Sequence, residues 1–333
     1  MTETGSAPTT IKVGVYFDLR NPAQWRQDPS RLYGFTLEMC EEAERLGASS
    51  AWFSEHHLFD DGYLTSPLTF AAAAAARTKR IRLGTAILIA PLHHPAEIAE
   101  QTVVVDILSN GRVDLGLGTG YRVPEFQLFD ASLKARYRQT DDTVRRLREL
   151  FSPDGVQPQP VQKNLPIWLG YQGPQGARRA GLLGAPLLSA DAALWEPYAA
   201  GLSEAGHPLD SGVMAGGFQG YVTDDPERDW AMLKTHLAHQ LDSYRHHMVE
   251  GTDAPPAKPV DVDRLVASGR SGPLGAFTYG TPDVVAERIR SYTAGAPVTE
   301  IFLWASVGGM SEEAVARNVN TICTQLAPLL AQN

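Results

Sequence analysis

"SAWFSEHHLFDDGYLTSPLTFAAAAAARTKRIRLGTAILI", residues 50–89, decides the fold. It begins as a strand and ends, over Ile81–Ile89, in a second apolar, β-rich run. Between them Ser66-Pro67 opens a helix through the six alanines 71–76, with proline in the first helical turn. Strand, helix and strand in that order make a βαβ unit, with parallel strands and a right-handed crossover.

The same rhythm runs outward in both directions. Strands are expected at 11–17, 112–118, 166–170, 185–190, 212–222 and 298–305, besides the two just read. Helical patterns follow at 32–47, from Pro95 to about Asn110, at 132–150, from about 174, and at 195–205, 226–249 and 311–330. Eight strands, each with a helix after it, close most economically into a (β/α)8 TIM barrel, a single domain over residues 1–333. An open doubly wound α/β sheet is the structural alternative. Two insertions break the repeat. The Pro/Gln-rich stretch 151–165 precedes strand five, and residues 250–280 follow strand seven. The second lies on the C-terminal face of a barrel and is expected to be an active-site lid, with a disordered surface insertion as the alternative; the first ten residues are expected to be a flexible tail.

Bulk properties bound the function. With 43% hydrophobic and 20% charged residues the chain has an ordinary globular composition. A net charge of −9 argues against nucleic acid or an anionic membrane as partner. Cys40 and Cys323 form no spaced motif, which favours a reducing, cytoplasmic setting. No signal peptide and no membrane-length apolar run is read.

Strand two delivers Glu55, His56 and His57 to the catalytic end of the barrel. Alternation sends Trp52 and Ser54 to one face and Phe53 and Glu55 to the other. Adjacent histidines diverge, so they do not share a metal; none is expected. One imidazole suits a general acid/base or a hydrogen bond to a ligand. Strand four ends in "GLGTGY", 116–121, whose alternate glycines leave room for a flat group, with no helix expected directly after it. Strand five ends in "GYQGPQGARRAG", 170–181, where a helix N-terminus and nearby Arg178 and Arg179 fit a phosphate. Tyr16, Phe17, Trp25, Phe59, Tyr63 and Trp195 are expected to line an apolar mouth suited to a small organic substrate.

These residues carry a resemblance. "WFSEHH", "LSNGRVDLGLGTGY" with "EFQLF" after it, "PIWLGYQGP" and "YGTPDVVAERI" occur in the order found in the bacterial luciferase-like flavin monooxygenases. The resemblance is collinear over nearly the whole chain and implies the same barrel. It also implies reduced FMN, supplied by a separate flavin reductase, which reacts with O2 to a C4a-hydroperoxide that oxygenates the substrate. A related branch uses a deazaflavin coenzyme for hydride transfer, and some such barrels bind flavin without catalysis.

By the resemblance His56 and Glu125 are the catalytic residues. Ala86 and Ile87 flank a non-prolyl cis peptide beside the flavin, and Glu55, Gly118, Thr119 and Tyr121 complete that side of the cofactor site. Gln172, Gly173 and Gly176 form the phosphate loop. This chain departs from luciferase there: glycines replace hydroxyl residues, Thr119 replaces an arginine, and Gly118 a reactive cysteine. A second phosphate arginine is displaced, with Tyr137 between Arg136 and Arg138. Phosphate binding is therefore assigned to Arg136, with Arg178 as the alternative. The resemblance further implies a homodimer through helices two and three.

Overall fold

The computed structural model describes residues 10–268 and 277–331. The expected tail, apart from Thr10, and residues 269–276 of the expected lid lie outside them. The strands are β1 (Lys12–Phe17), β2 (Ser50–Phe53), β3 (Arg82–Thr85), β4 (Leu88–Ile89), β5 (Val113–Gly118), β6 (Ile167–Leu169), β7 (Leu187–Leu188), β8 (Met214–Phe218), β9 (Gly220–Val222), β10 (Thr278–Gly280) and β11 (Val298–Trp304). The helices are α1 (Pro29–Leu46), α2 (Pro67–Arg77), α3 (Pro95–Ser109), α4 (Val123–Leu128), α5 (Arg136–Leu150), α6 (Gly173–Leu182), α7 (Trp195–Glu204), α8 (Pro226–Val249), α9 (Val262–Ser268), α10 (Pro282–Thr293), α11 (Glu312–Thr321) and α12 (Ala327–Ala331).

The main sheet has nine strands in the order β3-β2-β1-β11-β8-β7-β6-β5-β4, all parallel, and β5 returns to pair with β3. β3 and β4 succeed each other along one position, with a cis Ala86–Ile87 bond between them. Nine strands sharing one position in this way leave eight, and the sheet closes as a barrel. The expected strand 212–222 is split: β8 stays in the barrel, while β9 leaves it and pairs with β10.

Local signals set the helix ends. Pro29, Pro67 and Pro95 each open a helix, where a missing amide costs nothing. Asp28 and Asp225 cap α1 and α8 through the amides of Arg31 and Arg228. Gly47 and Asn110 end α1 and α3 in the left-handed region. The six-residue α4 is absent from the reading of the sequence, because it is too short to show a period.

An aromatic layer fills the barrel. The Trp52 ring lies 4.9 Å from Phe302 and 6.5 Å from Trp168, and Tyr16 stacks on Phe302 at 6.1 Å. Tyr16, Trp52 and Phe302 come from the adjacent strands β1, β2 and β11, and Trp168 from β6 across the barrel, so these rings meet only inside it. Gly84 makes the space: a Cβ there would lie 2.2 Å from the Trp52 ring. Below this layer Ser50 bonds the half-buried Glu300, and Arg82 pairs with Asp114 at 2.5 Å. Phe53 takes the face opposite Trp52, as alternation predicts, and packs outward on Phe70 of α2 at 5.1 Å. Arg112 explains part of "LSNGR". Its guanidinium donates to the carbonyls of Ala75, Thr78, Ile81 and Ser109, tying α2 and α3 to the start of β3.

α8 crosses the C-terminal mouth. Along its 24 residues, His239 bonds Asp61, Gln240 bonds Asp18, and Tyr244 bonds Tyr63. Among the described residues no helix is long and apolar enough to cross a membrane.

Candidate active site

His56 and His57 leave the end of β2 in different directions, as adjacency requires. Nδ1–H of His56 donates to Glu125 Oε1 at 2.8 Å. Nε2–H of His57 donates to Glu55 Oε1 at 2.8 Å. Each imidazole therefore has its own carboxylate, and among the described residues no cluster of acid, thiol and imidazole groups has the form of a metal site.

Glu125 reaches His56 from α4. Its Oε1 also accepts the His57 amide at 2.9 Å, and its side chain is completely buried. Burial alone would raise its pKa. The hydrogen bond and charge of His56, the His57 amide and Arg122 together hold it below the usual carboxylate range. An ionised Glu125 fixes the His56 proton on Nδ1. In the neutral imidazole the lone pair is then on Nε2, which has no partner among the described residues. The imidazole is 12% exposed and sits among Phe59 at 4.7 Å, Tyr63 at 4.8 Å, Tyr121 at 5.6 Å and Tyr244 at 6.3 Å. Behind it the hydroxyls of Tyr16, Ser54, Tyr63 and Tyr244 form one buried hydrogen-bonded cluster.

Glu55 differs from its assignment as a cofactor contact. Its buried carboxylate is taken up by His57, by His93 Nε2 at 2.7 Å and by the Ile89 amide at 2.6 Å. Burial opposes its charge, but these three donors hold its pKa low. Glu55 therefore fixes the segment that follows the cis bond. A Cβ at Gly118 would meet the Ile87 side chain at 2.6 Å, so this glycine makes room for Ile87. Ala86, Ile87 and Thr119 are half-buried at the mouth, and Tyr121 is 38% exposed.

Gln172 is the N-cap residue of α6 and makes no side-chain cap, so the first amides of the helix lack a side-chain acceptor. Gly173 has φ +69° and open space around it, while Gly176 packs tightly on Tyr171. Arg136 lies over Tyr137 at 4.9 Å, and Tyr137 lies 5.9 Å from Tyr171, next to Gln172. Arg136 Nε is buried with no partner among the described residues. Uncapped amides, an open glycine and an orphaned guanidinium N–H fit a phosphate group. Arg178 instead pairs with Glu204 on α7, and Arg179 pairs with Asp141 at 2.7 Å.

The sequence profile described as luciferase-like monooxygenase matches residues 12–299. The chain belongs to the luciferase-like monooxygenase family. Among curated relatives, the oxygenase component of the flavin-dependent trigonelline monooxygenase of Acinetobacter baylyi is 30% identical over 165 residues, 45% of this chain and 46% of that protein. Limonene 1,2-monooxygenase of Rhodococcus erythropolis is 26% identical over 325 residues, 88% of this chain and 80% of that one. The F420-dependent glucose-6-phosphate dehydrogenase of Amycolatopsis mediterranei is 30% identical over 169 residues, 44% and 50% of the two chains. Matches to the first three curated relatives span 46%, 31% and 33% of their lengths. In fold, the chain superposes on the monooxygenase RslO1 from Streptomyces bottropensis with a TM-score of 0.77 at 23% identity, over 96% of this chain and 99% of that one.

In this member of the luciferase-like monooxygenase family several site residues escape a reading of the sequence. Arg122 and His93 each touch a carboxylate of the histidine pair, yet the pattern around them assigns neither a role. Asp18 and Arg20 lie beneath α8, which no local pattern places over the mouth. Phe59, Tyr63 and Tyr16 gather at the mouth as expected. Phe17 instead faces outward onto Phe53, Trp25 packs on His236 under α8, and Trp195 packs on Tyr198.

Proposed function

We propose that the protein is a flavin-dependent monooxygenase that uses reduced FMN and O2 to oxidise a small organic substrate. The observation that carries this reading is the His56–Glu125 pair, at 2.8 Å, at the mouth of the barrel and beside the Ala86–Ile87 segment. Reduced flavin, when bound, supplies the electrons that activate O2. Ala86, Ile87, Thr119 and Tyr121 would hold its ring system. The first amides of α6, from Gln172 to Gly176, together with Arg136, would hold its phosphate. His56 Nε2 accepts a proton from the substrate or stabilises charge that develops beside it, while Glu125 keeps the other nitrogen protonated. The rings of Phe59, Tyr63, Tyr121 and Tyr244 exclude water from that nitrogen. The structural likeness to an oxygenating component of 3,6-diketocamphane monooxygenase in complex with FMN supports the fold, and the relatives named monooxygenases support the chemistry.

The trigonelline relative is an oxygenase component, which supports a separate reductase as partner here. A homodimer through α2 and α3 is supported by exposed Val104, Ile107 and Leu108 on α3, at 50%, 42% and 51%, beside exposed Ala73 and Ala76 on α2.

Relatives dependent on F420 favour a second reading, hydride transfer to or from a deazaflavin. Anaerobic titration with reduced FMN and with the reduced deazaflavin separates the two. Tighter binding of FMN, followed by protein-dependent O2 uptake on adding air, supports the monooxygenase. Preference for the deazaflavin without O2 uptake overturns it.

A further inference from the structure

Arg122 lies two residues beyond Gly120, in the loop after β5, and its side chain is fully buried. Its donors reach three separate segments. Nη1 bonds the His57 carbonyl and Glu125 Oε1, the latter at 3.3 Å. Nη2 bonds Glu250 Oε2 at 2.6 Å, and Nε bonds the His247 carbonyl at 3.3 Å. The guanidinium also lies 4.4 Å from the centre of Phe59, which stacks on the His247 ring at 4.0 Å and leans on His56 at 4.7 Å. One buried cation thus touches the loop that carries both histidines, the partner of His56, and the end of α8.

We propose that Arg122 is a positioning residue that couples the seating of Glu250, just past α8, to the proton held by the His56–Glu125 pair. The inference rests on the reading of His56 as the proton-handling group.

Two carboxylates share this one cation. The positive charge of Arg122 disfavours a protonated imidazole, and the negative charge of Glu250 offsets part of that effect. With Glu250 seated, His56 holds its proton more tightly. With Glu250 withdrawn, Arg122 acts on Glu125 alone and His56 holds its proton less tightly. Glu250 is the movable member, because its side chain is 39% exposed whereas those of Arg122 and Glu125 are fully buried.

The other groups facing the pair do not change this sign. The phenols of Tyr63, Tyr121 and Tyr244 are pushed above their ordinary range, mainly by burial, and stay neutral. Arg20 lies over the rings of Phe59, Tyr63 and Tyr244, paired with Asp61 at 2.6 Å and near Asp18. His247 is held below its ordinary value, chiefly by burial, and His57 is bound to Glu55.

The test is an NMR titration of histidine-labelled protein without flavin, with the His56 signal assigned from His56→Gln. Glu250→Gln is expected to lower the His56 midpoint by a few tenths of a pH unit, and Arg122→Gln to raise it by roughly one unit. Arg122→Lys keeps the charge and is expected to restore most of the midpoint. Shifts of the same sign in Glu250→Gln and Arg122→Gln would overturn the proposal, as would an unmoved midpoint in both. If Arg122→Gln does not fold, the half-exposed Glu250→Gln still decides: a fall supports the coupling, and no shift or a rise refutes it. The titration needs no substrate, so a failed monooxygenase reading appears separately, as absent O2 uptake.

Discussion

Glu125 accepts a hydrogen bond from Nδ1 of His56 at 2.8 Å across a separation of 69 residues. That bond assigns the tautomer and leaves Nε2 as the basic nitrogen. His56→Gln is therefore expected to lower turnover by about 10²- to 10⁴-fold while leaving FMN affinity nearly unchanged. Glu125→Gln is expected to fall between this variant and the parent. Steady-state kinetics beside a flavin-binding titration check both, and full turnover in His56→Gln would remove the imidazole from the mechanism.

The barrel interior tolerates no added methyl at Gly84. The Trp52 ring it would strike is stacked on Phe302 and cannot yield. Gly84→Ala is expected to destabilise the fold by about 1–3 kcal/mol. Gly34 on α1 has nothing within 4 Å of its Cβ position, so Gly34→Ala is expected to stabilise by about 0.4–1 kcal/mol. Urea midpoints at constant slope report both signs.

Glu55 makes stability depend on pH. Its folded pKa lies below the unfolded value, so its contribution is present above about pH 4.3 and is lost as pH falls through the folded value. Burial is the largest single effect on His93 and lowers its pKa, but the hydrogen bond and charge of Glu55 and the charge of Glu97 together outweigh it and raise it. Its contribution is full below about pH 6.5 and is lost as pH rises through the folded value. Glu55→Gln should therefore cost most between these windows, about 3–5 kcal/mol near pH 5.5. Calorimetric Tm values at pH 3.5, 5.5 and 8 would show that maximum. A loss that is constant with pH would contradict it.

Arg136 and the start of α6 are expected to read the phosphate and nothing else of the cofactor. Arg136→Ala should weaken FMN by about 10- to 100-fold, the worth of one charged hydrogen bond, while riboflavin binding stays the same. Equal losses for both ligands would place the phosphate elsewhere.

The exposed apolar row on α3 is expected to be covered in solution. Ile107→Asp should convert a dimer to a monomer without changing the Tm by more than about 3 °C. Sedimentation velocity gives the answer, and a parent protein that is already monomeric would refute it.

Much of the molecule was legible from local pattern. Alternation put Trp52 and Phe53 on opposite faces, and Pro67 and Pro95 marked their helices, because these signals act within a few residues. Adjacency at a strand end separated His56 from His57. The resemblance pointed to the Ala86–Ile87 bond, which is cis.

What the chain alone left undecided depends on groups far apart in sequence. Nothing near Glu55 says that its carboxylate will be filled by His93, or that Gly118 will receive Ile87. Nor does anything near Arg122 say that a buried cation will join α4 to α8. Periodicity records which face of an element is buried, but not what covers it. His56, Glu125, Arg122 and Glu250 meet because barrel closure brings the ends of β2 and β5 together and α8 crosses over them. Each buried charge then takes whichever partner lies within hydrogen-bond reach.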